Sequence, residues 1–119
     1  MNHFTFFAAL LVLGVGCAST PKPLPTSIPP LKALAEKGDA EAQFQLAHKY
    51  YLGEGVEKDY KKAVIWYRKA AEQNFPQAQF TLGYQYILGQ GVEKSEKEAV
   101  KWFLKAAAQN EPYAQHNLG

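Results

Sequence analysis

The sequence predicts an all-α solenoid of α/α hairpins, about two full repeats with a half-repeat on each side. Three observations carry that expectation. Residues 39–74 and 75–110 align without gaps with 20 of 36 positions identical, and self-similarity at a fixed period marks a repeat architecture. Inside each unit, apolar side chains recur first at i, i+4, i+8 and then at i, i+3, i+4, i+7, the spacing of one helix face. Turn and cap residues stand at the same places in both units, between the periodic stretches.

The elements follow in order. Residues 31–38 (LKALAEKG) align with the end of a preceding second helix, closed by Gly38. Ala42, Leu46 and Tyr50 then mark the core face of a first helix, and Gly53-Glu54-Gly55 turns the chain. Asp59 suits an N-cap, where a carboxylate accepts from a free first-turn amide. Ala63, Trp66, Tyr67 and Ala70 mark a second helix, in which alanines let axes approach and aromatics fill the remainder. Asn74, like Gly38 and Asn110, stands just past a helix end, where left-handed backbone favours Gly or Asn.

The second unit repeats this grammar. Pro76 suits a first helical position, where no amide hydrogen is needed. Ala78, Leu82 and Tyr86 repeat the core face, Gly89-Gln90-Gly91 the turn, and Ala99, Trp102, Phe103 and Ala106 the second helix. Ser95-Glu96-Lys97-Glu98 fits a capping box. Pro112 opens a partial third unit, 111–119. The paired glycines resemble half a phosphate loop, but no GK[ST] follows, so they read as turns.

Composition excludes several functions. At 119 residues the chain holds one small domain at most, and 47% hydrophobic with 20% charged residues is too apolar for a disordered chain. Thirteen Lys+Arg against eleven Asp+Glu leave a net charge of +2, with the signs interleaved along the sequence; nothing here attracts nucleic acid. The single cysteine excludes a disulfide framework and a CxxC zinc site. His3, His48 and His116 form no HxxxH pair, so no metal site is expected. No GxSxG, SxxK or HExxH pattern occurs, so neither catalysis nor a cofactor is expected. Lys58, Lys61 and Lys62, with Lys94, Lys97 and Lys101, read as solvated faces, with contact to acidic lipid or polysaccharide as the alternative.

The N-terminus is a separate object. No charged side chain precedes Lys22, and Phe4 to Val15 is an apolar run of twelve broken only by Thr5. Twelve helical residues span about 18 Å, too short for a bilayer core but right for a signal-peptide core. Val15-Gly16-Cys17 resembles the end of a bacterial lipobox, with Gly14 where Leu is usual. Residues 1–16 are thus expected to be a signal peptide and Cys17 the acylated anchor. Cleavage after Ala18, leaving Ser19 first, is the alternative and gives a soluble periplasmic or secreted protein. Ala18 in place of the Asp that retains many enteric lipoproteins at the inner membrane favours the outer one. Residues 17–30 then form a tether: 18–30 hold five prolines in thirteen positions, which argues against helix and for an extended spacer reaching roughly 40 Å.

Leu46, Tyr50, Gly53-Glu54-Gly55-Val56 and Ala63 through Ala71, with their second copy from Leu82 to Ala107, resemble the Sel-one-like repeat (SLR) family, relatives of tetratricopeptide (TPR) repeats. The resemblance covers residues 31–119, and the 36-residue period fits it better than the 34 of plain tetratricopeptide units. It implies a right-handed superhelix whose first helices line a concave face. On that geometry Phe44, His48 and Tyr51 form one stripe, Phe80, Tyr84 and Ile87 the next, and His116 continues the first position. An aromatic groove suits a peptide or partner helix, and the implied function is a non-catalytic protein-interaction scaffold of the bacterial envelope. Phe44 and Phe80 have core packing as their alternative role. Cysteine-rich family members described as β-lactamases or penicillin binders carry two cysteines per repeat; residues 31–119 have none, so that activity is not implied. Because the last first-helix segment stops at Leu118-Gly119, the second helix of repeat two is expected to need more chain or self-association to cover it.

Overall fold

Helix boundaries are set by residues that dispose of first-turn amides, and in this computed structural model residues 23–109 are described. Five helices follow in order: α1 Ile28–Glu36, α2 Ala40–Leu52, α3 Tyr60–Glu72, α4 Pro76–Leu88 and α5 Glu96–Ala107. No strand occurs among the described residues. Asp59 accepts from the Lys62 amide at 3.0 Å and Ser95 from Glu98 at 3.1 Å. The capping box at Ser95 is only half made. Its own amide donates to the Tyr86 carbonyl at 3.0 Å, as Asp59 does to Tyr50 at 2.9 Å, and Glu98 pairs with Lys101 instead. Each second helix is thereby pinned to the end of its own first helix.

The first helices start differently in the two units. Asp39 caps α2 by accepting from Ala42 at 2.8 Å. Phe75 cannot cap α4, and Pro76 removes the amide that would need it. Left-handed backbone occurs at Gly38, Gly53, Asn74 and Gly89, as the sequence implies. One expectation fails at the tether. The helix begins at Ile28, inside the proline-rich stretch, with prolines in its first turn, where their missing amides cost nothing. Leu24 also packs on the core, so the spacer ends earlier than residue 30. Cys17, the 1–16 signal peptide, Asn110, Pro112 and His116 lie outside the described residues.

Each helix packs against its neighbours in the chain, α1 on α2, α2 on α3, α3 on α4 and α4 on α5, which is the all-α, TPR/SLR-like repeat arrangement. Leu31, Leu46 and Tyr67 anchor one buried cluster; Leu82, Trp102 and Phe103 anchor the next. Leu31 and Ala35 of α1 stand where Tyr67 and Ala71 stand one repeat later, so α1 supplies the missing second helix of a preceding unit. Trp66, expected in the core, is only half-buried, whereas its counterpart Trp102 is 5% exposed. Trp102 Nε1 is, among the described residues, the one buried side-chain nitrogen or oxygen without a hydrogen-bond partner.

Glutamines that the periodicity did not single out tie the joints. Gln43 Nε2 donates to the Ala35 carbonyl at 3.0 Å, and Gln79 to Ala71 at 3.1 Å. Gln73 donates to Gln43 Oε1 at 2.9 Å, and Gln109 to Gln79 at 2.8 Å. The same two-bond relay thus recurs at each joint, with buried Gln43 and Gln79 satisfied by exposed Gln73 and Gln109.

Gly91 has φ +80°, and a Cβ there would strike the Tyr60 carbonyl of the preceding hairpin. Gly38, at φ +106°, has open space around it. Gly91→Ala should therefore cost roughly 2–3 kcal/mol, strain plus displaced backbone, while Gly38→Ala should cost about 1 kcal/mol for backbone strain alone. Urea midpoints of the two variants check the order; equal losses would contradict it.

Candidate partner-binding face

The two sequence-derived stripes run along the rim of the core on α2 and α4, with Phe44, Tyr51, Phe80 and Ile87 each packed in part against a buried cluster. His48 is exposed, as is its repeat counterpart Tyr84, at 46%. Tyr51 and Ile87 are half-buried at the next equivalent position, and Phe44 and Phe80 are half-buried at the first. The core alternative holds in part for the phenylalanines. Phe44 packs against both buried clusters, and Phe80 lies 5.6 Å from the Phe103 ring.

Within each helix the rings stack. Phe44 and His48 lie 6.3 Å apart at 20°, His48 and Tyr51 6.4 Å at 18°, and Phe80 and Tyr84 5.7 Å at 21°. Four-residue steps place successive side chains above one another on a helix, which is why near-parallel rings result. Two polar contacts hold the row. His48 Nδ1 is 3.2 Å from the Tyr67 hydroxyl, and the Tyr51 hydroxyl donates to Gln90 Oε1 at 3.2 Å, joining the first stripe to the second repeat's turn. Gln90 was not singled out by sequence; the signal was its departure from Glu54 at the same repeat position. Glu54 instead pairs with Lys49 at 3.5 Å, and both border a recess of about 170 Å³ with Phe44, Gln45 and His48.

Charge is scarce on these helices. Glu41 and Lys49 are the charged residues of α2, and α4 has none. The row offers flat rings and neutral polar groups, suited to burying apolar side chains of a partner while its backbone finds donors and acceptors. A larger hollow, about 610 Å³, lies elsewhere, between Pro23-Leu24-Pro25 and α1. It is mostly apolar, with Asp39, the cap of α2, at its edge. Among the described residues, no cluster of three or more His, Cys, Asp or Glu could hold a metal ion.

Comparison with known proteins now bears on this geometry. The Sel1 repeat model matches residues 40–75 and 76–111, one residue later than the sequence-derived units. The chain belongs to the Sel1-repeat family. A Sel1 repeat protein from Oxalobacter formigenes is 42% identical, with a TM-score of 0.73 over 74% of this chain and 66% of that one. Cysteine-rich protein B of Helicobacter pylori is 35% identical, TM-score 0.70, over 72% and 65% respectively. A protective antigen of uropathogenic Escherichia coli displaying an SLR fold is 36% identical, TM-score 0.52, over 71% of this chain and 26% of its own. The chain thus spans just under two thirds of the first two proteins. No curated protein matches it. Sel1-repeat proteins are generally protein-interaction scaffolds and typically non-catalytic.

Burial, with the nearby Tyr51 as a lesser cause, pushes the Tyr67 phenol well above its ordinary pKa, so it stays a neutral hydrogen-bond partner of His48. A raised folded pKa means this contribution is complete below about pH 10 and is lost as pH climbs beyond it. Tyr67→Phe should lose about 1 kcal/mol near neutrality, and that gap should narrow in alkali. Denaturant midpoints on either side of the phenol range test this; a gap that widens with pH would refute it.

Proposed function

We propose that this protein is a non-catalytic scaffold or adaptor that grips a peptide or protein segment along the first-helix row of α2 and α4. The observation that carries the reading is the set of stacked, part-exposed rings, Phe44, His48 and Tyr51 on α2 and Phe80 and Tyr84 on α4, on helices that carry almost no charge. A folded domain has no packing need to keep Tyr84 half in solvent, and aromatic rings bury much area on binding at small entropic cost. The generally scaffold-like behaviour of the family supports the same class of function.

We infer further that the protein works at the bacterial envelope, held by acyl chains on Cys17 after removal of residues 1–16, with the outer membrane favoured. Several long chains, at about 0.8 kcal/mol per buried methylene, would make that attachment essentially permanent. Mass spectrometry of the membrane fraction tests it. A triacylated Cys17 is the expected N-terminus; an unmodified Ser19 would mean a soluble periplasmic or secreted form.

The groove is tested by affinity capture from crosslinked envelopes with His48→Ala/Tyr84→Ala. Both side chains are exposed, but His48 also partners the buried Tyr67 hydroxyl, so the fold should lose about 1–3 kcal/mol, while recovery of specific partners should fall by about tenfold, the effect of one or two interface anchors. Phe44→Ala is unsuitable here, because that ring bridges both core clusters. Unchanged capture with a folded double variant would move the site off this row.

A further inference from the structure

The small net charge conceals a segregation that appears only once the helices are assigned. The second helices α3 and α5 carry seven of the chain's thirteen cations against Glu72, Glu96 and Glu98, whereas α2 and α4 carry one charge of each sign. Lys61, Ile65 and Lys69 follow one another at i, i+4, i+8 on α3. Lys97, Lys101 and Lys105 occupy the same repeat positions on α5. Four-residue steps rotate by about 40°, so each trio falls within roughly 80° of arc, and all six residues are exposed.

Carboxylates do not neutralise these columns. Lys101 has Glu98 at 3.5 Å; the other four lysines meet no carboxylate among the described residues. Like charges at i, i+4 weaken a helix by a few tenths of a kcal/mol, so α5 bears its column at a cost. Three ammonium groups lie over indoles instead, Lys69 over Trp66 at 5.7 Å and Lys101 and Lys105 over Trp102 at 5.7 and 5.6 Å. Such exposed cation–π contacts are weak and leave the charge un-neutralised. Successive groups rise about 6 Å along the axis. Such spacing suits phosphates spread over a plane rather than one small anion, which needs converging donors. Ile65, 53% exposed at the centre of the α3 column, adds an apolar contact of the kind interfacial helices use.

We propose that the exposed side of α3 and α5 is a docking surface for the anionic phospholipid headgroups of a bilayer, with the neutral first-helix row facing away from it. Choosing lipid among polyanions rests on the membrane-anchored reading above, which puts the domain within a short tether of such a surface. Lysines near an anionic leaflet contribute about 1 kcal/mol each, reduced by salt.

The test uses the full chain carrying Cys17→Ala, so that no acyl group contributes, sedimented with vesicles of phosphatidylcholine alone or mixed with phosphatidylglycerol. The apolar N-terminal run should bind both kinds alike and cancel in the ratio. The mixed vesicles should bind at least about tenfold tighter at low salt, and high salt should erase the difference. Lys97→Glu/Lys101→Glu/Lys105→Glu should abolish the preference. Lys61→Gln/Lys69→Gln, a milder change that spares the fold, should cut it about tenfold, and Lys49→Gln on α2 should leave it unchanged. Equal binding to both vesicles, or a parent-like preference in the folded glutamine variant, would overturn the proposal. So would inorganic polyphosphate binding as tightly as the mixed surface, which assigns the columns to a soluble polyanion. Failure of the anchor is read separately, from the mass of the natural Cys17 terminus, and leaves the vesicle result standing.

Discussion

Contact between alanine-lined helix surfaces governs the rest of this molecule. Ala70, Ala71 and Ala78 lie in one buried cluster with 0 to 1% exposure, and Ala35, Ala42 and Ala63 do the same one repeat earlier. Methyl groups at these positions let the axes come close enough for Leu46, Tyr67, Leu82 and Phe103 to bury fully from neighbouring helices. Each such side chain contributes about 1.5–3 kcal/mol relative to exposure. A single hairpin could not bury them, because each core cluster takes residues from the adjoining unit: Leu31 and Ala35 in the first, Val64, Ala70 and Ala71 in the second. Gly83 shows how finely the seam is set: a Cβ there would come within 2.8 Å of Phe103, whereas Ala47, its repeat counterpart, is buried in the same cluster as Tyr67.

Much of this was legible in the residues because the repeat states each rule twice. The core faces, the N-caps at Asp59 and Ser95, proline at the head of α4 and the left-handed ends at Gly38 and Asn74 all depend on neighbours within one turn, which a linear pattern records. What was missed depends on distance. Gln43, Gln73 and Gln79 look like solvated residues until the joint between hairpins brings them together. Trp66 has the pattern of a core residue but sits where its neighbours leave one edge open. The start of α1 at Ile28 was obscured by prolines, which forbid a helix interior yet suit its first turn.

The same principle explains the two faces. The first-helix stripes could be placed from spacing once a concave side was expected; in the structure His48 and Tyr84 are exposed, whereas Tyr51, expected at the surface, is half-buried against the core. Tyr51 to Gln90 crosses between repeats and no periodicity encodes it. Charge was the least legible property. The near-balanced total hides that lysines gather on α3 and α5 while α2 and α4 stay almost neutral, which shows only once residues are assigned to helices. A sum over residues misses what position on a helix decides.

The glutamine relay has a consequence for how such a protein can change over generations. Because both joints use the same donor, acceptor and backbone carbonyl, a duplicated thirty-six-residue segment would find a matching socket on either side without further substitution. Growth or shrinkage by whole modules is therefore open to this rod, whereas an insertion of any other size would leave a glutamine amide buried and unanswered.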